Sequence, residues 1–172
     1  MRLYLQNIVE EISFENLPAK WQVFDLARFS KDKTLFDFQE QALRNALKGL
    51  WLYFKDKKED KVNLYRLYQA NGLLENFDYD LKKGENRKAA KYLLEYDKDY
   101  PAKDSKIPYA HFINRMSFWM ATGSGKTLVI VKLIELLGRL IADKELPTGD
   151  ILFLAHRDDL LDQFKNHIEE FN

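Results

Sequence analysis

Between Met120 and Thr127 the chain reads Met-Ala-Thr-Gly-Ser-Gly-Lys-Thr, and these residue types at this spacing state a chemistry. A nucleoside triphosphate is a dense cluster of negative charge, and backbone holds it by aiming consecutive N–H groups and a helix N-terminus at its oxygens. Only small residues let the backbone come that close. Thr122, Gly123, Ser124 and Gly125 supply the nest, Lys126 brings a cation to the β- and γ-phosphates, and Thr127 offers a hydroxyl to Mg²⁺. The strict pattern G-x-x-x-x-G-K-[ST] has glycine where this chain has Met120. Because the anion nest is built mainly by Thr122 to Thr127, the chemistry survives that departure. The competing reading is a glycine-rich turn beside an exposed lysine, which has no need of a strand before it and a helix after it.

Those two elements are what the flanking sequence supplies. The run Met116 to Met120 predicts a strand that feeds the loop, with Phe118 and Trp119 packed in the core, and Lys126 to about Ile141 predicts a helix. The helix's later charges, Lys132, Glu135 and Arg139, fall three and four apart and form one polar stripe on an otherwise apolar cylinder. Such a helix is buried on most sides. Asp143 to Asp150 carries Pro147 and Gly149 as turn residues, after which Ile151 to Ala155 reads as a short buried parallel strand. A further helix from about Asp158 places Leu160, Leu161, Phe164, Ile168 and Phe171 on one face, with acidic residues in its first turn. This is the beginning of an α/β alternation.

Upstream, Asp37 with Glu40 three residues later makes an aspartate variant of the capping box, and Phe38, Ala42, Ala46, Leu50 and Phe54 recur at helical spacing. A helix over roughly 38–54 follows. The charge run Lys55 to Lys61 reads as a solvated helix end or loop. Beyond it lie two shorter helical patterns, Val62 to Ala70, stopped by Asn71-Gly72, and about Glu85 to Tyr96; Asp97 to Pro108 is a polar linker. Tyr65, Tyr68, Tyr92 and Tyr96 sit at helical spacing, which fits a packing face better than a stacking surface for single-stranded nucleic acid.

The bulk numbers set limits. The 172 residues, 46% hydrophobic and 14% aromatic, hold enough apolar material for one real core and a smaller satellite. Twenty-seven basic and twenty-seven acidic side chains cancel, so any nucleic-acid contact must be local. The absence of cysteine excludes disulfide scaffolds and thiolate zinc sites. The N-terminus carries acids where a signal peptide needs an apolar region, and no apolar run reaches the roughly 18 residues of a membrane span. We read the chain as cytoplasmic, with no membrane partner.

MATGSGKT, with a non-glycine first position and threonine before the first glycine, resembles motif I of superfamily 2 helicases and translocases. Ile151 to Phe164 looks like motif Ia of that superfamily, its offsets filled by Ala155, His156, Arg157, Asp159, Leu160 and Gln163. Leu35 to Leu43 is similar to its glutamine motif, with Phe38, Gln39 and Ala42 at the matching positions. Among the branches, Asn114 to Thr127 together with Leu154 to Gln163 looks most like the helicase subunit of type III restriction enzymes.

The resemblance implies an α/β fold, the N-terminal part of a RecA-like motor lobe with parallel strands, preceded by a mainly helical inserted subdomain. Residues 1–54 then hold the glutamine-motif helix, 55–112 the insertion, and 113–172 the start of the ATP-binding lobe. ATP and Mg²⁺ are the implied cofactors, with Lys126 and Thr127 as the residues of catalysis and Thr127 as the Mg²⁺ ligand. Gln39 is the implied adenine reader, its amide able to donate and accept at once; the competing reading is a solvent-facing glutamine. Phe36 stacks on the base or packs in the core. Arg157, after a strand's carboxyl end, is the implied contact to a DNA phosphate, against a plain salt bridge to Asp158 or Asp159. His156 has no neighbouring ligand spacing that suggests a metal or a general base. Double-stranded DNA, the remainder of the same motor and a DNA methyltransferase subunit are the implied partners.

Hydrolysis also needs an acid pair at the end of another strand and an arginine finger from a second lobe. After Thr127 no apolar strand ends in Asp-Glu, so this chain is expected to bind ATP without turning it over. Two alternatives stand beside the motor: a P-loop phosphotransferase or kinase, which has no reason to carry Ile151 to Phe164 in this form, and a regulatory fragment that binds nucleotide without hydrolysis.

Overall fold

Two stretches far apart in sequence, Val9–Lys58 and Phe118–Asn172, make one compact unit, and Met1–Ile8 with Glu59–Ser117 make another. The structure, a computed structural model, describes residues 4–56, 61–72, 79–80, 106–107 and 116–171. In chain order its elements are α1 (Tyr4–Glu11), a 3₁₀ turn (Phe14–Asn16), α2 (Ala19–Gln22), α3 (Asp37–Trp51) running into a π-helical turn (Leu52–Asp56), and α4 (Lys61–Ala70). The two-residue strands β1 (Tyr79–Asp80) and β2 (Lys106–Ile107) follow, then α5 (Lys126–Ala142) and α6 (Asp158–Phe171).

In the unit that carries the phosphate loop, α5 packs against both α3 and α6. Leu43 and Leu47 of α3 and Leu136 and Leu140 of α5 are each 0% exposed, as is Trp21. Their i, i+4 spacing puts each pair on one helix face, and complete burial of such a side chain contributes roughly 2 kcal/mol. The N-terminal segment, where sequence patterns are silent, supplies Phe14, Phe24 and Phe29 to the same core. Its shape is set by short-range bonds, with Leu35 N–H donating to Ala27 O at 2.7 Å and Phe29 N–H to Lys33 O at 3.0 Å. Phe29 then meets Phe171 of α6 edge-on at 5.3 Å.

The start of α3 differs from expectation. Phe36 is the N-cap and Asp37 the first helical residue, so the reach-back of the box comes from Gln39, whose Oε1 accepts from the Phe36 N–H at 2.9 Å. Phenylalanine has no side-chain acceptor, and Gln39 at N3 is one turn in, where a carboxamide spans the gap. Glu40 pairs instead with Arg44 at 2.7 Å. The buried face is also rotated: Leu43, Ala46 and Leu47 are inside, whereas Phe38 is 52% exposed.

The two apolar runs expected as strands, 116–120 and 151–155, are not paired into a sheet among the described residues. Trp119 and Phe118, expected in the core, are exposed at 83% and 45%. In the second run Leu152 and Leu154 are both 79% exposed, while Phe153 lies inward and stacks on Phe164 of α6 at 4.0 Å. That alternation is what an extended chain shows when one face is covered and the other is not.

The end of α5 is held by a cluster that local sequence does not announce. Lys144 takes a left-handed conformation (φ 58), with Glu145 N–H donating to Leu140 O at 2.8 Å and Lys144 N–H to Ile141 O at 3.0 Å, the Schellman pattern usually built on glycine. A side chain there costs roughly 1 kcal/mol. Glu145 offsets it. Its carboxylate accepts from the Trp21 indole at 3.0 Å and pairs with Lys55 at 3.1 Å and Lys20 at 3.4 Å. The Lys55 and Trp21 hydrogen bonds hold the carboxyl below its ordinary range. A depressed folded value means that this stabilisation is present above the ordinary carboxylate range and is lost as pH falls through the folded value. Glu145→Gln is therefore expected to lower stability by about 1–2 kcal/mol at pH 7, with the gap to the parent closing in acid. Thermal unfolding of both proteins from neutral pH to roughly pH 3 checks this; a gap that persists in acid assigns the effect to packing.

The other unit is described in part. α4 ends at Asn71-Gly72 as the sequence suggests, with Gly72 at φ 101 and Asn71 Nδ2 donating to Leu67 O at 3.0 Å. Leu64 and Tyr68 are buried on it, which makes Tyr68 a packing residue. β1 and β2 pair antiparallel, Tyr79 opposite Ile107 and Asp80 opposite Lys106, so two residues of the expected linker are paired as a strand. The expected helix at 85–96, with Tyr92 and Tyr96, and the rest of the linker lie outside the described residues.

Candidate phosphate-binding site

Gly125 is the N-cap of α5 in a left-handed conformation (φ 74), and Gly123 two residues earlier is also left-handed (φ 80). These two dihedrals fold residues 121–125 into a tight turn, with Ser124 N–H donating to Ala121 O at 3.2 Å. Among the described residues the backbone N–H groups of Gly123, Gly125, Lys126 and Thr127 find no backbone acceptor. The first N–H groups of a helix have no partner within it and carry the positive end of its dipole. The loop thus presents clustered donors at the start of a seventeen-residue helix.

Lys126 adds the full charge. Its Nζ donates to Ala121 O at 2.8 Å and to Met120 O at 3.2 Å, which anchors the ammonium across the turn, and the side chain is exposed. Met120 therefore takes part through its backbone carbonyl, and the missing first glycine of the strict pattern removes no donor. Thr127 is half-buried on the first turn of α5. Ser124 Oγ is closed off from solvent with no hydrogen-bond partner among the described residues, a polar atom in the loop that still lacks an acceptor.

The loop does not stand alone. Gln39 of α3 is 2% exposed, and its Nε2 donates to Ser124 O at 2.8 Å while its Oε1 holds the Phe36 N–H. One carboxamide ties the N-terminus of α3 to the phosphate loop. A methyl group built on Gly125 would sit 2.4 Å from Gln39 Nε2, whereas one on Gly123 meets nothing within 4 Å. Gly125 is thus required twice, by its dihedral and by the glutamine against it.

Gln39, Ser124, Gly125 and Lys126 are brought together as expected of neighbours, but the two ends of the Gln39 amide are already occupied by protein. Phe36 and Phe38 stand out on the same turn, 68% and 52% exposed, stacked with centroids 5.7 Å apart and planes within 13°. Sequence periodicity places Phe38 in the core and so misses this pair; two aromatics either side of Asp37 at the helix start were the available signal. Arg157 lies at the N-terminus of α6 and is forked onto Asp159, Nε to Oδ1 at 2.8 Å with Nη2 on Oδ2, and both side chains are more than half exposed. The guanidinium holds the Asp159 carboxyl below its ordinary range. Here the structure realises the salt bridge that competes with a phosphate contact. His156 is exposed. Among the described residues no group of three or more His, Asp or Glu side chains is placed to hold a metal ion, and no helix is long and apolar enough to cross a membrane.

A family model described as type III restriction enzyme, res subunit, matches residues 32–172. The matched span takes in Gln39, the loop from Met120 to Thr127, and Arg157. No curated protein and no solved structure matches the chain.

Proposed function

The chain belongs to the family of the type III restriction enzyme res subunit, an ATP-dependent, helicase-like family, and on that premise we propose that it is the ATP-binding N-terminal part of a DNA translocase. In the intact protein, ATP hydrolysis drives movement on double-stranded DNA, alongside a DNA methyltransferase subunit. The observation that carries this reading is the loop itself: free N–H groups at the start of α5, with Gly125 at φ 74 and Lys126 Nζ fixed across the turn. Mg²⁺ fits the donors present as a nucleotide-borne ion, since it takes a few protein oxygens and fills its remaining positions with phosphate and water. Thr127 supplies the hydroxyl. The ion's part is to neutralise developing charge on the phosphates; the chain's part is to orient them.

The same reading makes 116–120 and 151–155 the first parallel strands of a RecA-like sheet. It explains why Trp119, Leu152 and Leu154 are apolar although 79% or more of each is exposed: neighbouring strands would cover them. Residues 55–112 are then an insertion ahead of the loop. A phosphotransferase would share the loop, but the family match runs on through 172.

DNA contact is assigned to Arg157. An exposed ion pair exchanges readily for a phosphate, so Asp159 stores the guanidinium without consuming it. Arg157→Ala is expected to weaken binding of duplex DNA about equally for unrelated sequences and to lower the slope of log affinity against log salt by about one. Fluorescence anisotropy at several salt concentrations reads both. A loss confined to one DNA sequence, or an unchanged slope, returns Arg157 to a surface salt bridge.

A further inference from the structure

We infer that Asp159 sets the strength of the DNA contact at Arg157: its carboxylate occupies the guanidinium edge that a DNA phosphate would take, and so holds duplex affinity down. This rests on the reading of Arg157 as a phosphate contact. A carboxylate and a phosphate offer the same pair of oxygens to an arginine fork, so an edge held by one is closed to the other. In this chain that edge is taken. Nε of Arg157 donates to Asp159 Oδ1 at 2.8 Å and Nη2 donates to Oδ2, between residues two apart in sequence. A phosphate on the remaining Nη1 edge would lie beside the Asp159 charge, which repels it. The Asp159 carboxyl is held below its ordinary range first by the Arg157 hydrogen bond and charge, then by the backbone N–H groups of Asp159 and Leu160. The groups turned toward this carboxylate are those that hold a phosphate.

The surroundings make the competition count. From Arg157 to Glu170 the sequence has five acidic residues against one arginine and one lysine, and that lysine, Lys165, is itself paired with Asp162 at 3.6 Å. α6 therefore brings no spare cation to draw in a phosphate while Arg157 is engaged. Yet the lock is light. The Arg157 and Asp159 side chains are 61% and 51% exposed, and water screens an ion pair held so openly. A stand-in of that strength weakens the DNA contact without abolishing it, which suits a motor that must release each phosphate in order to advance. Asp158 supplies an internal comparison. It carries the same charge at the same helix end, is exposed, and makes no ion pair among the described residues.

The test measures the anisotropy of a fluorescently labelled DNA duplex at low salt with the full chain, Asp159→Asn, Asp158→Asn, Arg157→Ala and the double variant Arg157→Ala with Asp159→Asn. Thermal unfolding checks that each is folded at the measuring temperature. Asp159→Asn is expected to tighten duplex binding about two- to fivefold, the range that an exposed ion pair spans. Asp158→Asn removes the same charge without freeing a guanidinium and should change affinity by less than about twofold. On the Arg157→Ala background the gain from Asp159→Asn should shrink to the level of Asp158→Asn, because the group it releases is gone. A merely structural aspartate would not show that dependence. The inference is overturned by no gain in Asp159→Asn, by equal gains from the two aspartates, or by a gain that persists in full without Arg157; each of these leaves the Arg157 contact itself standing. A parent chain that binds no duplex, or an Arg157→Ala variant that binds like the parent, removes the contact and the inference with it.

Discussion

Replacing Lys126 with alanine is expected to cut the affinity for Mg·ATP by roughly 100-fold while the melting temperature stays within about a degree of the parent. Among the described residues the ammonium is the one full positive charge that hydrogen bonds place across the phosphate turn, at 2.8 Å from Ala121 O and 3.2 Å from Met120 O. A charge-assisted bond is worth roughly 1.5–3 kcal/mol, and a lysine that serves two phosphates sits at the upper end of that range. The side chain is exposed, so its removal opens no cavity and leaves folding alone. Calorimetric titration and thermal unfolding of both proteins separate the effects. Parent-like ATP affinity in the variant would remove Lys126 from the site.

Gly125→Ala is expected to lose binding and stability together. The left-handed dihedral costs an alanine roughly 1–2 kcal/mol, and the new methyl group lies 2.4 Å from Gln39 Nε2, so the glutamine must abandon Ser124 O. The part-buried Ser124 carbonyl then loses its partner, which adds up to roughly 1 kcal/mol. Gly123→Ala is the control, because it shares the left-handed conformation (φ 80) but meets nothing within 4 Å. It should show the dihedral penalty alone. Equal destabilisation by the two changes would mean that the Gln39 contact carries no energy.

The contrast between these glycines also marks how far the sequence could be read. The nest, Lys126 and the helix behind them are legible because their chemistry is written in adjacent residues: small, small, cation, hydroxyl, then an apolar periodic run. The same locality makes the end of α4 and the start of α6 readable. Gln39 is legible as a residue of interest, but the bonds it makes within the fold are not, since its partners are backbone atoms, one of them 85 residues away. Backbone atoms leave no residue signature. Glu145 is hidden in the same way, its indole partner lying 124 residues upstream. Periodicity misplaced Phe38 because the buried face of α3 runs through Leu43, Ala46 and Leu47, which leaves Phe38 on the exposed side beside Phe36. The apolar runs at 116–120 and 151–155 show the opposite limit. Composition says that Trp119, Leu152 and Leu154 are suited to burial, but it does not name what lies over them.

Titration of the full chain with Mg·ATP in a calorimeter, followed by displacement with inorganic tripolyphosphate, tests the phosphate loop most directly. One saturable site per chain, fully displaced by tripolyphosphate and weakened by Lys126→Ala, is the predicted result. The absence of saturable ATP binding up to millimolar concentration, or a site that tripolyphosphate fails to empty, would contradict it.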